Sequence, residues 1–474
     1  MIVGRKNEVG ILNEKLKSAR AEFVAVYGRR RVGKTYLIRN VFEGKFTFRI
    51  TGLAQASLAD QLSNFNLALK EQYPGRRTKN ATTWMEAFQQ IRKVIENSKK
   101  KKKVIFIDEL PWFDTMHSGF IAALEHFWNS WASGRKDILL LVCGSAASWM
   151  INTLINNKGG LHNRVTQKLK LKPFTLGECE ELLKQKKITL DHYQLVQLYM
   201  VLGGIPFYWD AVKKELSASQ NINKICFEQN GLLINEFNNL WKSLFEKAER
   251  HEAIVTALAK KNKGLTREEI SEESKLSNGG GLTRLLDELE ESGFMRRYIP
   301  FGKKSRNSLY QLTDFFSFFH AKFMKGQKSY DKNHWLKMID SPKHRAWSGY
   351  AFEQVCLAHI SQIKQALGIS GVETEMSSWR STSTANGAQI DLVIDRRDGV
   401  INLFEMKFSI NPFVINKKYD AELRNKTGAF KTETATKKSV FLTMVTTFGL
   451  QENAHSGNVQ NDIKMDELFE AVQS

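Results

Sequence analysis

Cysteine is scarce and scattered. Cys143, Cys179, Cys226 and Cys356 are the only four in 474 residues, and no two form a CxxC pair. That spacing supports neither a disulfide framework nor a cysteine metal site, and it fits a reducing, cytoplasmic setting. Long apolar runs are also missing. The longest stretch, Ile138 to Ile155, is broken by Gly144, Ser145, Ser148 and Asn152. It reads as a buried strand followed by the start of a helix, so no membrane partner is expected. The opening residues do not read as a signal peptide. No internal repeat or low-complexity tract is present. Acidic residues are in deficit, 50 against 70 Lys and Arg, for a formal net charge of +20. An excess of that size favours a polyanion partner, nucleic acid or anionic lipid, over an acidic one. The alternative is a Lys-rich surface kept soluble by charge. The run Lys99–Lys103 reads as a solvated loop.

What is present is more specific. At 474 residues the chain exceeds a single core and suggests about three domains. Gly28-Arg29-Arg30-Arg31-Val32-Gly33-Lys34-Thr35 is a complete GxxxxGKT loop. It follows an apolar, β-favouring stretch, Phe23–Tyr27, and precedes Tyr36-Leu37-Ile38-Arg39, which can open a helix. In that context the loop amides and the helix N-terminus provide a positive field for phosphates. Residues 28–36 are therefore the expected nucleotide cradle. Lys34 would reach the β- and γ-phosphates of ATP, and the Thr35 hydroxyl would ligate Mg²⁺. The apolar run Val104–Ile107 reads as a strand buried on both faces and ends in Asp108-Glu109. Asp108 would hold the metal through water, and Glu109 would orient and polarise the attacking water.

Residues 1–171 alternate strand-like and helix-like segments, with strands expected at Phe23–Tyr27, Phe46–Thr51, Val104–Ile107, Ile138–Cys143 and Gln167–Leu171. Helices are expected over Thr83–Ser98 and Gly119–Trp131. That alternation predicts a mainly parallel sheet covered on both faces, with nucleotide at the carboxyl edge. Ser145, just past the fourth strand, either senses the γ-phosphate and holds the water or caps the following helix. Arg164 follows a glycine-containing loop. It is either an arginine finger, in cis or from a neighbouring copy in a homo-oligomer, or a solvated arginine.

Thr175-Leu176-Gly177-Glu178 is a capping box, and Gly203-Gly204-Ile205-Pro206 must stop a helix. Residues 172–245 read as an all-helical lid. In 246–330 a second capping box starts at Thr266, with its helix ending near Leu276. A turn follows at Ser277–Gly281, a second helix at Leu282–Ser292, and then two strand-like segments around Gly302–Asn307. Helix–turn–helix plus hairpin predicts a winged helix. Lys303, Lys304 and Arg306 on its wing suit DNA. Asp287, Glu288, Glu290 and Glu291 on its second helix do not, so a protein-interaction module stays open.

Residues 331–474 read as a separate α/β domain. Ile390–Ile394 and Asn402–Phe408 form a hairpin. With Gly399 left-handed in a three-residue loop, Asp391 falls opposite Glu405. Glu405 and Lys407 then share a face, roughly 7 Å apart. Two carboxylates and a lysine converge, Asp391 and Glu405 as divalent-ion ligands and Lys407 as the charged assistant of phosphodiester hydrolysis. Glu353, on a preceding helix, would be the fourth member. This is the D-x13-E-x-K arrangement of PD-(D/E)xK nucleases. An active enzyme and a domain that only binds both remain open.

The P-loop, Ile107–Trp112, Cys143–Ser145, Gly160–Arg164 and Gly203–Pro206 resemble the AAA+/STAND-like ATPases widespread in archaea and gut bacteria. The opening Val3-Gly4-Arg5-Lys6-Asn7-Glu8 resembles their N-terminal box. The resemblance implies an adenine site near Val3, Gly4 and Arg5, an approach of Gly204 and Pro206 to the nucleotide, and a C-terminal domain similar to PD-(D/E)xK nucleases. The expected fold class is therefore α/β: a P-loop NTPase sheet, a helical lid, a winged helix and a restriction-endonuclease-like domain. The expected activity is ATP hydrolysis coupled to a C-terminal domain that binds DNA and, in its active form, cleaves it. The rival is a signalling, scaffold or transcription-regulating ATPase with an inactive nuclease-like module.

Overall fold

The computed structural model describes residues 2–75, 79–245, 247–261, 263–326, 333–381 and 388–472. The expected junctions at 245/246 and 330/331 touch residues outside that set. The chain forms two compact units, Met1–Pro173 with Lys242–Glu246, and Phe174–Trp241 with Lys247–Ser474.

The first unit is built on five parallel strands, β1 (Glu22–Gly28), β2 (Phe46–Thr51), β3 (Lys103–Asp108), β4 (Ile138–Gly144) and β5 (Gln167–Leu171), in the order β2-β3-β4-β1-β5. All five match the expected strands to within a residue at each end. Strand β4 is buried along its whole length, as helix-covered parallel strands are. Each of its leucines contributes about 1.5–3 kcal/mol by leaving water. Helices Trp84–Glu96 and Phe120–Ser130 lie where the sequence places them. They meet through Trp84, whose indole packs on Phe113 and Phe120 at 5.4 and 4.9 Å. Helix Leu58–Gln72 was not anticipated. Its signal is a capping box in which Ser57 and Asp60 cap each other reciprocally.

The second unit begins with helices. The capping box at Thr175 forms as expected, and helix His192–Leu202 stops at Gly203, after which Pro206 opens a new turn at its first position. Phe174 donates its N–H to the carbonyl of Gly204 at 2.6 Å. A Cβ on Gly204 would lie 1.8 Å from the Phe174 carbonyl oxygen. Gly204→Ala is therefore expected to lower unfolding stability by about 3 kcal/mol, read as a lowered thermal midpoint.

Helices Ala248–Lys260, Arg267–Ser274 and Gly280–Glu291 are followed by an antiparallel pair, β6 (Met295–Tyr298) and β7 (Leu309–Leu312). The last helix starts at Gly280, not Leu282. Gly279 is its extended N-cap, so two glycines expected in the turn instead form the first helical turn. The hairpin is not free-standing. Phe301 donates its N–H to the Ser378 carbonyl at 2.7 Å, and its ring lies 5.1 Å from Phe430.

Five more strands, β8 (Thr374–Arg380), β9 (Gln389–Arg396), β10 (Val400–Lys407), β11 (Ser439–Thr446) and β12 (Asn461–Lys464), make a mixed sheet in spatial sequence order. β8, β9 and β10 run antiparallel, and β10, β11 and β12 parallel. Helices Pro342–Ala358 and Lys417–Thr434 flank it. The early helices pack directly on this domain. Leu176 donates its N–H to His359 Nε2 at 2.9 Å, and Tyr193 stacks on Phe408 at 5.1 Å. Burial pushes the pKa of His359 down to about 4, so the ring is neutral and free to accept that bond. All four cysteines are free and buried. Among the described residues no helix is long and apolar enough to cross a membrane.

Candidate functional site

Strand β1 ends at Gly28, where only glycine fits. Its φ is +141°, and a Cβ there would lie 2.3 Å from the Leu171 carbonyl oxygen. Arg31 and Gly33 carry φ of 70° and 90°, turning the loop into helix Lys34–Val41. No side chain caps that helix, and no acidic residue sits in its first turn. Its N-terminal field is therefore left for an outside anion. Lys34 is buried, and Nζ donates to the carbonyls of Gly28 at 3.1 Å and Arg29 at 2.9 Å. Burial lowers its pKa; the nearby Glu109, Cys143 and Asp108 oppose that shift. A buried ammonium resting on loop carbonyls, with no carboxylate in hydrogen-bond reach among the described residues, suits phosphate oxygens.

The strand ends complete the arrangement. Thr35 Oγ1 donates to Asp108 Oδ1 at 3.0 Å, the pairing expected of two residues that share a hydrated Mg²⁺. Cys143 Sγ donates to the same oxygen at 2.6 Å, and Arg39 lies 3.8 Å from Asp108 Oδ2. Burial first, and then the Asp108 and Glu109 charges, push the Cys143 thiol pKa well up, so it stays a donor. Glu109 occupies a left-handed backbone conformation, φ 50° and ψ 51°. Its Oε2 accepts from both the backbone N–H and the hydroxyl of Ser145, at 3.0 and 2.9 Å. Ser145 thus holds Glu109, a contact that neither sequence alternative for Ser145 included.

The opening box joins the same loop. Val3 is buried, and Gly4 and Arg5 have φ of 58° and 57°. Arg5 Nη2 donates to the carbonyls of Val32 at 3.2 Å and Lys172 at 2.7 Å. Among the other candidates, Arg29 is buried, Arg30 and Arg31 are half-buried, and Tyr36 is exposed. Arg164 is exposed, and its side chain makes no hydrogen bond or ion pair among the described residues. Gly204 and Pro206 belong to the second unit, at the end of helix His192–Leu202.

The second constellation lies on β9, β10 and the helices beside them. The β9–β10 loop is the expected three residues, with Gly399 at φ 87°, and Leu392 pairs with Phe404. One step further puts Asp391 across from Glu405. Glu405 Oε1 accepts from Lys407 Nζ at 2.9 Å and Tyr419 OH at 2.8 Å, and Oε2 from Lys426 Nζ at 2.7 Å. Burial alone would raise the Glu405 pKa; Lys407 and Lys426 outweigh it and hold the group below its usual range. Asp391 accepts from Gln389 at 2.7 Å. The side chain of half-buried Glu353 makes no hydrogen bond among the described residues. Burial, then Asp391 and Glu405, push its pKa up to about 8. Among the described residues no three His, Cys, Asp or Glu side chains already gather as a metal site. An unpartnered Glu353 beside two carboxylates nevertheless fits a cation, which would compete with Lys426 for Glu405. Tyr419 and Lys426 were missed by sequence reasoning. They lie on a helix that only tertiary packing brings to β10.

Residues 2–212 match a family described as an ATPase domain predominantly from Archaea. A protein of Methanocaldococcus jannaschii described as uncharacterized is 25% identical over 399 residues, covering 83% of this chain and 84% of its own. An uncharacterized ATP-binding protein of the same archaeon is 47% identical over 45 residues, 10% of this chain and 76% of its own. A Walker-type ATPase of Pyrococcus abyssi is similar over 68% of this chain and 96% of that one, at 16% identity and a TM-score of 0.45. Residues 2–212 thus carry an ATPase domain of the P-loop kind, with the ATP binding that implies.

Proposed function

We propose that the chain is an Mg²⁺-dependent ATPase whose nucleotide state is coupled to a DNA-binding, metal-dependent DNA-cleaving C-terminal domain. The observation that carries the ATPase part is the ordered set Lys34, Thr35, Asp108 and Glu109, with Ser145 fixing Glu109. ATP and Mg²⁺ would lie at the loop, Lys34 would neutralise phosphate charge, and Glu109 would orient water. Arg164 would add a cation as a finger, in cis or from another copy. Val3, Gly4 and Arg5 would border the adenine.

The helix–helix–hairpin segment would be a winged helix, and the mixed sheet a PD-(D/E)xK domain. The charge excess supports a DNA partner, and the Asp391–Glu405 register with Lys407 on the same strand supports cleavage. Such coupling would need a physical carrier within the second unit. Helix His192–Leu202 has Gly203–Pro206 at one end, and at the other Tyr193 stacks on Phe408, the neighbour of Lys407. A shift of the glycine segment on ATP binding would move that helix and the end of β10 together. The test is phosphate release with and without added DNA. A rate change of at least about fivefold is expected, and an unchanged rate rejects the coupling.

A further inference from the structure

The amino ends of β2, β3, β4 and β1 lie side by side along the edge of the first sheet that faces away from the phosphate loop. At about 4.8 Å per strand, the row is roughly 14 Å long. The run Lys99–Lys103 passes through its middle and into β3. The sequence reads that run as a solvated loop, yet two of its lysines tie the neighbouring loops together. Lys102 Nζ donates to the carbonyls of Ser18 at 2.8 Å, Arg20 at 2.7 Å and Lys136 at 3.2 Å, on the approaches to β1 and β4. Lys100 Nζ donates to the carbonyls of Gly44, at 3.2 Å, and Phe46, on the approach to β2. The carboxylates beside them are already taken. Glu22 pairs with Arg20 at 3.0 Å, Asp137 with Lys103 at 2.7 Å and Arg135 at 2.8 Å, and Glu96 with Arg92 at 2.8 Å. Glu43 is the exposed acid that stays unpaired in these loops, among the described residues. Against it stand exposed Lys17, Lys45, Lys99, Lys101 and Lys136, which make no ion pair among the described residues. Cations in such excess, on loops fastened to one another, attract a polyanion laid along the row.

We propose that this edge of the ATPase sheet binds the phosphate backbone of double-stranded nucleic acid, without regard to base sequence. The site uses residues of the first unit alone, so it stands apart from the DNA reading of the C-terminal domain. Its side chains decide the kind of partner. Lysine is a point charge on a flexible stem, suited to single phosphate oxygens. A duplex carries one negative charge per about 1.7 Å of axis, so roughly eight charges lie along a row of this length. Among the described residues, none of the four loops exposes a large apolar or aromatic side chain. Trp131, the nearest aromatic, is half-buried between Arg92 and Arg135, at 5.2 and 4.9 Å from its ring. The edge therefore has no platform on which unpaired bases stack and no anchor to sink into a bilayer. Phosphate contact is what it offers.

The test is fluorescence anisotropy of the full chain with a labelled DNA duplex in EDTA, so that binding is separated from cleavage. Every variant also carries Lys303→Glu, Lys304→Glu and Arg306→Glu, so that the wing is not a second site. Adding Lys99→Glu, Lys101→Glu and Lys136→Glu is compared with adding Lys213→Glu, Lys214→Glu and Lys224→Glu, an equal charge change on exposed lysines of the second unit. The edge set is expected to weaken binding at least about tenfold at low salt and to flatten the salt slope by about 2.7, the value for three lost phosphate contacts on a duplex. The control set should change affinity less than about twofold. The milder Lys99→Gln, Lys101→Gln and Lys136→Gln set should weaken binding in the same direction. No loss in either edge set, or equal loss in edge and control sets, overturns the proposal. So does a wing-substituted parent that no longer binds the duplex, an outcome that would leave the wing reading standing. Tighter binding of the matching single strand overturns it as well. Finally, an edge set that loses binding to phosphatidylserine vesicles but keeps the duplex would make this edge a membrane surface and overturn the nucleic-acid assignment.

Discussion

Glu109→Gln is expected to bind ATP as the wild type does and to hydrolyse it about 10²–10⁴-fold more slowly, the usual range for losing a positioned base. The substitution is mild in shape. The glutamine oxygen can still accept from the Ser145 N–H and hydroxyl, so the left-handed turn at 109 keeps its anchor. Only the negative charge that would polarise water is removed. Lys34→Ala acts on the other half of the site. It deletes the buried ammonium held by Gly28 and Arg29 and should weaken ATP binding about 10²-fold. Ser145→Ala should fall between wild type and Glu109→Gln, with a loss of about tenfold, because the backbone N–H still holds Glu109. Nucleotide binding by fluorescence and turnover by phosphate release separate these outcomes. Wild-type turnover in Glu109→Gln would remove Glu109 from the mechanism.

The second large effect belongs to the C-terminal site. The wild type is expected to bind Mn²⁺ and to nick plasmid DNA. Asp391→Ala and Glu405→Ala should lose both. Lys407→Ala should keep the metal and lose about 10²–10³-fold in cleavage, because it would stabilise charge developing on the scissile phosphate. ATP turnover without DNA should survive all three. Lys426 supplies the sharper arm. In the structure its ammonium occupies Glu405 Oε2 at 2.7 Å. Lys426→Ala removes that internal cation and should tighten Mn²⁺ binding. Calorimetric titration with Mn²⁺ and a nicking assay on the same preparations check the set. If the wild type and the Asp391→Ala/Glu405→Ala double variant take up Mn²⁺ identically and neither nicks DNA, the domain binds without cutting.

The ATPase sheet was legible because its signals are local. Strand composition, the glycine loop and the Asp108–Glu109 pair each sit within a few consecutive residues. The contacts between strand ends were less so. Parallel pairing of β3 with β4, in which Ile107 lies beside Val142, brings Asp108 to Cys143 and Glu109 to Ser145. The sequence shows that Ser145 is near a strand end, not which carboxylate it faces. The β9–β10 register was readable because loop length and Gly399 fix it. Lys426 and Tyr419 were not, since a helix 12 to 29 residues beyond Glu405 has no fixed rotation against the strand until it packs. Docking of the hairpin through Phe301 was equally hidden. Its donor pairs with Ser378, 77 residues away, and the basic turn around it reads the same whether free or docked.

The most direct measurement is the affinity of Glu109→Gln for single-stranded DNA in saturating ATP and in saturating ADP, at one fixed salt concentration. Coupling between the nucleotide and the C-terminal domain predicts affinities that differ by at least about fivefold. Equal affinities in the two nucleotides, with ATP binding intact, would contradict it.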